Sequence, residues 1–190
     1  MTTNDDWIDD IEAQRRQKDR YFGEDPRSPI PADERTAFDG LNYFPVAPDY
    51  RFEVELDADD DPEPVTVGTS TDGEQEYLAW GTFTVEIDGE PVSLVAYKGD
   101  PSEERLWVPF RDETSGEETY GAGRYIDLEP DSHRTEDGTW ILDLNQAYNP
   151  TCAYNYAYEC PLIPMENWLD VRIEAGEKDF PAEPVAPHEH

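Results

Sequence analysis

Between Tyr77 and Tyr97 the chain alternates apolar and polar residues about one Asp-Gly pair. Phe83, Val85 and Ile87 alternate with Thr82, Thr84 and Glu86. After Asp88-Gly89 the period resumes, with Val92, Leu94 and Ala96 on one face and Val95 and Tyr97 on the other. A period of two sends every second side chain to the same face of a strand, and Asp-Gly is a strong two-residue hairpin signal. The same grammar recurs along the chain. Tyr50, Phe52, Val54 and Leu56 alternate with Arg51, Glu53 and Glu55; Val65 and Val67 mark a short strand; Leu106 to Phe110 forms another, with Pro109 indicating an edge or a bulge. Tyr120 to Leu128 reads as a strand containing Gly121 and Gly123, which implies a bulge or a close backbone approach. Thr139–Leu144 and Trp168–Ile173 complete a series of about eight strands at hairpin spacing. The fold expected is mainly β: an antiparallel meander curled into a barrel or sandwich.

Around this body the chain divides simply. Residues 1–23 read as an α-helix, acidic at its start and basic toward its end, with Trp7, Ile8 and Ile11 as its apolar stripe. Glu12 with Arg16, and Arg15 with Asp19, have the spacing of helical ion pairs. Residues 24–49, rich in proline, read as an irregular arm anchored by Phe38, Leu41, Tyr43 and Phe44. Residues 50–175 form a single β domain, and 176–190 a flexible tail. Asp57 to Asp61 read as a solvated acidic turn, because Pro62 and Gly68 stand where a calcium loop needs glycine and glutamate.

Composition limits the function classes. The chain carries 46 acidic and 14 basic residues in 190, a formal charge of −32, and only 36% of its residues are apolar. Disorder is one reading of such a balance. The 5 Trp, 11 Tyr and 7 Phe, set in regular alternation, argue for a packed domain instead. Acids spread along the whole chain fit a protein working in concentrated salt. At ~1 M ionic strength the screening length is ~3 Å and self-repulsion is silenced. The expectation is an intracellular, cytoplasmic protein of a salt-accumulating halophile. Direct binding to nucleic-acid phosphates or to an anionic membrane is not expected, since both require a basic patch. No apolar run approaches the ~20 residues of a spanning helix.

From Leu106 onward several motifs follow one another. They are Val108-Pro109-Phe110-Arg111-Asp112, Thr114-Ser115-Gly116, Glu118 to Tyr125, Asp143-Leu144-Asn145, Ala147-Tyr148-Asn149-Pro150, Cys152-Ala153-Tyr154, Cys160-Pro161, Glu166-Asn167 and Ala175-Gly176-Glu177-Lys178. In this order they resemble the domain-of-unknown-function family numbered sixteen eighty-four, over at least residues 105–178. Ile163 and Met165 stand where that family's pattern leads one to expect prolines. The resemblance implies one compact domain of a kind found in bacteria and archaea; it implies no activity.

The stretch from Tyr120 to Asn167 concentrates the chemistry-bearing side chains. Arg124 stands out because arginine is scarce and lies beside glycines; its planar fork suits a carboxylate or phosphate. An ion pair with Asp143 or Glu166 is the alternative. Tyr120, Arg124, Asp143, Asn145, Tyr148, Asn149, Glu166 and Asn167 are the candidate ligand-binding residues, with loop stapling as the competing reading of the tyrosines and amides. Glu166 and Asp143 are the candidate general bases. Cys152 and Cys160 are read as buried thiols, a disulfide or, least, a redox or metal pair. There is no CxxC, and His133, His188 and His190 are poorly spaced for zinc, so no metal site is expected. Nothing in the sequence specifies a cofactor or an oligomeric state. Three functions are compatible with these residues: a small-molecule binder, a hydrolase-like enzyme with a carboxylate base, and a protein-interaction module built on the helix and arm.

Overall fold

A computed structural model describes residues 4–30, 35, 38, 40–69, 73–154 and 160–179, without the side chains of residues 4, 5 and 152. Helix α1 spans Asn4–Glu24. Seven strands follow among the described residues: β1 (Arg51–Val54), β2 (Asp57–Gly68), β3 (Glu74–Ile87), β4 (Glu90–Lys98), β5 (Leu106–Phe110), β6 (Arg124–Leu128) and β7 (Trp140–Asp143). A single short turn of helix, α2 (Pro130–His133), separates the last two.

The hairpin read from Asp88-Gly89 is present. Asp88 and Gly89 have φ of 54° and 80°, the paired positive values of the tight turn that matches strand twist. Its register sets Phe83 opposite Leu94 and Val85 opposite Val92, as the alternation requires. Strands β2 to β6 form one antiparallel five-stranded sheet in sequence order. The sheet does not close into a barrel; β2 and β6 lie at its two ends. β1 does not join this meander. It pairs with β7 in a separate two-stranded sheet, Phe52 opposite Leu142 and Val54 opposite Trp140.

Three expectations about strands are corrected. The acidic run at Asp57 is not a turn. It enters edge strand β2, whose register jumps between Ala58 and Glu63, so Asp59 to Asp61 and Pro62, which has no N–H to give, sit where no partner strand needs a donor. Strand β6 begins at Arg124, after both glycines. Gly123 nevertheless makes the expected close approach: at φ +104°, a Cβ there would lie 2.6 Å from the Phe110 carbonyl oxygen. Trp168–Ile173 is not an antiparallel strand. It runs parallel to residues 111–113, with Arg111 N–H bonded to the Asn167 carbonyl, Leu169 N–H to the Arg111 carbonyl, and Glu113 N–H to the Val171 carbonyl.

The five-stranded sheet buries both faces. On one, Phe83, Leu94, Val108, Phe110 and Ile126 pack with Leu142 of the small sheet, and with Leu144 and Ile173. On the other, Tyr97, Trp107 and Tyr125 pack with Tyr148 and Ile163 from the loops that follow β7. A third cluster joins α1 to the arm and to those loops: Phe22, Ile30, Leu41 and Tyr154 are buried together, Phe22 and Tyr154 edge to face at 4.7 Å.

Helix α1 is seated by polar contacts more than by apolar area, since only Ile11 and Phe22 among its described side chains are buried. Arg15 and Asp19 do not pair along the helix as their spacing suggested. Arg15 donates to the Phe44 carbonyl at 2.8 Å, and Asp19 accepts the Leu41 N–H at 2.9 Å. Gly176 to Asp179, expected in a flexible tail, are built into the body: Glu177 N–H bonds the Ala147 carbonyl and Lys178 N–H the Asn42 carbonyl. The rest of that tail, 180–190, lies outside the described residues. Among the described residues, no helix is long and apolar enough to cross a membrane.

Candidate functional site

The late motifs build four polar nodes and one cavity. The first node is Glu177, fully buried, a residue the tail assignment concealed. Its carboxylate accepts from Lys18 Nζ at 2.7 Å, from the Asn149 N–H at 3.1 Å and from Asn149 Nδ2 at 3.2 Å, and it accepts a hydrogen bond from the Tyr154 hydroxyl. One carboxylate thereby ties together α1, the Ala147–Pro150 segment and the loop after it. Burial, with the Glu177 charge adding to it, pushes the Tyr154 phenol well above its ordinary value, so Tyr154 stays a neutral donor.

Asp143 and Asn145 form the second node. Asp143 accepts the Asn145 N–H at 3.0 Å, Asn145 Nδ2 at 2.9 Å and Trp7 Nε1 at 2.7 Å. Asn145 grips the arm at Ala47, accepting its N–H at 2.9 Å and donating to its carbonyl at 2.8 Å. Arg124 makes the third. It is fully buried and pairs with Asp112 at 3.4 Å, not with Asp143 or Glu166. Its two terminal nitrogens also hold the carbonyls of Ile173, Ala175 and Glu177, while Nε has no hydrogen-bond partner among the described residues. Burial lowers the guanidinium pKa while Asp112 opposes the shift. Asp112 also accepts the Ile173 N–H at 2.6 Å and the Thr114 hydroxyl.

The fourth node lies in the sheet itself. β4 and β5 share a single register pair, Tyr97 opposite Trp107, because Pro109 has no N–H to continue the ladder. The buried Asn167 amide fills the seam. It accepts the Val95 N–H at 2.9 Å and donates to the carbonyls of Val95 at 2.9 Å and Pro109 at 2.7 Å. Beside it, exposed Glu166 accepts the Tyr97 phenol at 2.5 Å. Glu166 and Asp143 thus belong to separate nodes, and the Asp143 carboxylate is occupied by three donors. Tyr120 lies in the turn before β6, its carbonyl bonded to the Gly123 N–H. Cys160 is buried; the Cys152 side chain, and so the thiol pair, lies outside the described residues.

A cavity of about 260 Å³ separates α1 from the body. Asn145 and Tyr148 line it, the two sequence candidates that reach it; Arg15, Lys18, Tyr43 and Asp127 complete its polar wall. Arg15 forms no ion pair among the described residues, its donors going to the carbonyls of Phe44 and Asn145. Its Nε and the Tyr43 hydroxyl are both buried without a hydrogen-bond partner among the described residues, and the guanidinium lies 4.5 Å from the Tyr43 ring centre. Burial lowers the Arg15 pKa despite the attraction of Tyr43, Asp143, Glu12 and Glu177, and burial raises that of Tyr43. Lys18 reaches the cavity from the Glu177 node, 5.3 Å from the Tyr148 ring centre. Tyr148 donates to Asp127 at 2.5 Å. Arg15 and Lys18 were legible in principle: with Ile11 they lie on one helical face, in a chain with few bases.

The family model described as "Protein of unknown function (DUF1684)" matches residues 36–178. The chain belongs to this family. The DUF1684 region contains all four nodes except the contributions of α1, whose Trp7, Arg15 and Lys18 precede it. The chain is also similar to the solution NMR structure of the uncharacterized protein from gene locus rrnAC0354 of Haloarcula marismortui. The two share 43% identity over 92% of this chain and 95% of that one, with a TM-score of 0.69. That relative comes from a halophilic archaeon, in keeping with the acidic composition of this DUF1684 protein. No curated protein matches the chain.

Proposed function

We propose that this domain binds a small anionic molecule, carboxylate or phosphate, in the cavity between α1 and the Asn145–Tyr148 segment. The observation that carries the reading is the pair of buried donors without acceptors, Arg15 Nε–H and Tyr43 O–H, on residues that line one cavity. A buried donor left unsatisfied costs ~1–3 kcal/mol, and a buried cation without a carboxylate more. An anion with two oxygens relieves both. Arg15 and Lys18 both line this cavity in a chain of charge −32, and among the described residues only Lys18 is paired with a carboxylate.

Binding is favoured over hydrolysis because the Asp143 carboxylate already holds Trp7 and Asn145. An interaction surface away from the helix and arm has its own observation: Leu162, Met165 and Trp168 are exposed on the loops after β7. A cytoplasm rich in salt remains the location proposed from the charge.

Calorimetric titration of the whole protein with phosphate and with small carboxylates, in concentrated KCl, tests the binding reading. Tyr43→Phe removes only the unpartnered hydroxyl, so it should leave stability unchanged or raised while weakening binding about fivefold. Arg15→Met should weaken it roughly tenfold to a hundredfold. Equal affinities in wild type and both variants would overturn the proposal.

A further inference from the structure

A second cavity, of about 380 Å³, shares Asp127 and Tyr148 with the first. Its character differs. Its wall is an aromatic row laid across the second face of the five-stranded sheet, one ring from each of several neighbouring elements. Tyr77 of β3 lies 4.7 Å from Trp107 of β5, Trp107 lies 5.2 Å from Tyr125 of β6, and Tyr125 lies 5.9 Å from Tyr148, measured between ring centres. Glu103 and Asp127 bring carboxylates to the same cavity, and Arg105 stands between them, 3.4 Å from the first and 4.0 Å from the second. The Tyr148–Asp127 pair therefore borders both cavities, with the Arg15 and Tyr43 donors toward one and the aromatic row with its carboxylates toward the other.

We infer that the ligand is an anion carried on a planar ring, its anionic group at Arg15 and Tyr43 and its ring against Trp107 and Tyr77. This rests on the anion reading above. Two physical reasons favour a planar ring over a saturated one. Aromatic stacking contributes about 1–3 kcal/mol per ring and needs no particular edge pattern. Carboxylates such as Glu103 and Asp127 accept only, so beyond the Gly99 N–H, the Tyr148 hydroxyl and the Arg105 guanidinium that they already hold, their remaining lone pairs select ring N–H or amino donors. A nucleoside monophosphate has both parts; a hexose phosphate has the anion without the plane.

Titration of the full chain with inorganic phosphate, adenosine monophosphate and glucose phosphate separates the possibilities. The expected result is adenosine monophosphate binding at least about fivefold tighter than phosphate, with glucose phosphate no tighter than phosphate. Tyr77→Leu, at a half-buried edge ring, and Glu103→Gln should each erase part of that margin while leaving phosphate affinity unchanged. If phosphate binds and Tyr43→Phe weakens it, yet adenosine monophosphate gains nothing, the ring inference falls and the anion reading stands. A gain for glucose phosphate alone also overturns it. If none of the three binds, both readings fall.

Discussion

Replacing Asn167 tests whether one amide stands in for a missing stretch of sheet. Asn167→Leu keeps the volume and deletes three hydrogen bonds, leaving the Val95 N–H and two carbonyls without partners inside the seam. Each such bond is worth about 1 kcal/mol net, and each buried orphan costs ~1–3 kcal/mol, so the expected loss is about 3–5 kcal/mol. At roughly 2–4 °C per kcal/mol for a chain of this size, the midpoint should fall by about 10 °C. Asn167→Asp is sharper. Its second oxygen faces the carbonyls of Val95 and Pro109, which now receive no donor, so ionisation is opposed and the carboxyl pKa is raised in the fold. A raised pKa means the acid's stability contribution is complete below about pH 4, where the unfolded carboxyl titrates, and is lost as pH climbs through the folded value. The deficit relative to wild type should therefore be smaller near pH ~4 than near pH ~8. Urea denaturation followed by tryptophan fluorescence, in concentrated KCl at both pH values, measures it. An Asn167→Asp deficit below about 1 kcal/mol and equal at both pH values would refute the reasoning.

Other expectations follow from the same contacts. Gly123→Ala forces a Cβ onto the Phe110 carbonyl at positive φ and should cost about 2–4 kcal/mol in the same urea assay. Arg124→Met leaves Asp112 buried without its cation and three carbonyls unfilled; a loss of about 3–5 kcal/mol is expected, little of it recovered by Arg124→Lys, which lacks the fork. The Tyr154 phenol is held above its ordinary pKa, so its contribution is complete below about pH 10 and drains away above it; alkaline unfolding of Tyr154→Phe should show a shallower pH slope than wild type. With a charge of −32, the melting temperature should rise steadily from dilute buffer to multimolar KCl, and a flat profile would count against the halophile reading.

What was legible in the sequence was local. The β3–β4 hairpin follows from alternation about Asp88-Gly89, and its register from the turn type. The β1–β7 pairing is a contact between residues about ninety apart, and no period within either segment encodes its partner. Loop stapling describes Asn145, Asn149 and Asn167 better than ligand contact: each amide grips backbone, and only Asn145 also reaches the cavity. Scarcity of arginine correctly drew attention to Arg124, while its true partner, Asp112, was hidden by sheet geometry that spacing does not reveal. Glu177 was missed because prolines and acids just beyond it resemble a tail; its burial depends wholly on donors from distant segments. Arg15 was read as half of a helical ion pair and Lys18 as part of the helix's basic end, since composition alone does not distinguish a solvated helical face from one that borders a cavity.

The Glu177 node has a bearing on how this chain matures. Lys18, Asn149 and Tyr154 all wait for one side chain near residue 180, and Arg124 waits for the carbonyls just before it. During synthesis the hairpins can form as they emerge, and α1 can already be held by Phe44, Leu41 and Asp143, but among the described residues its one ion pair to the body waits for the hundred and seventy-seventh residue. The leading segment is thus fully fastened only at the end, and truncations that spare every strand should still loosen it.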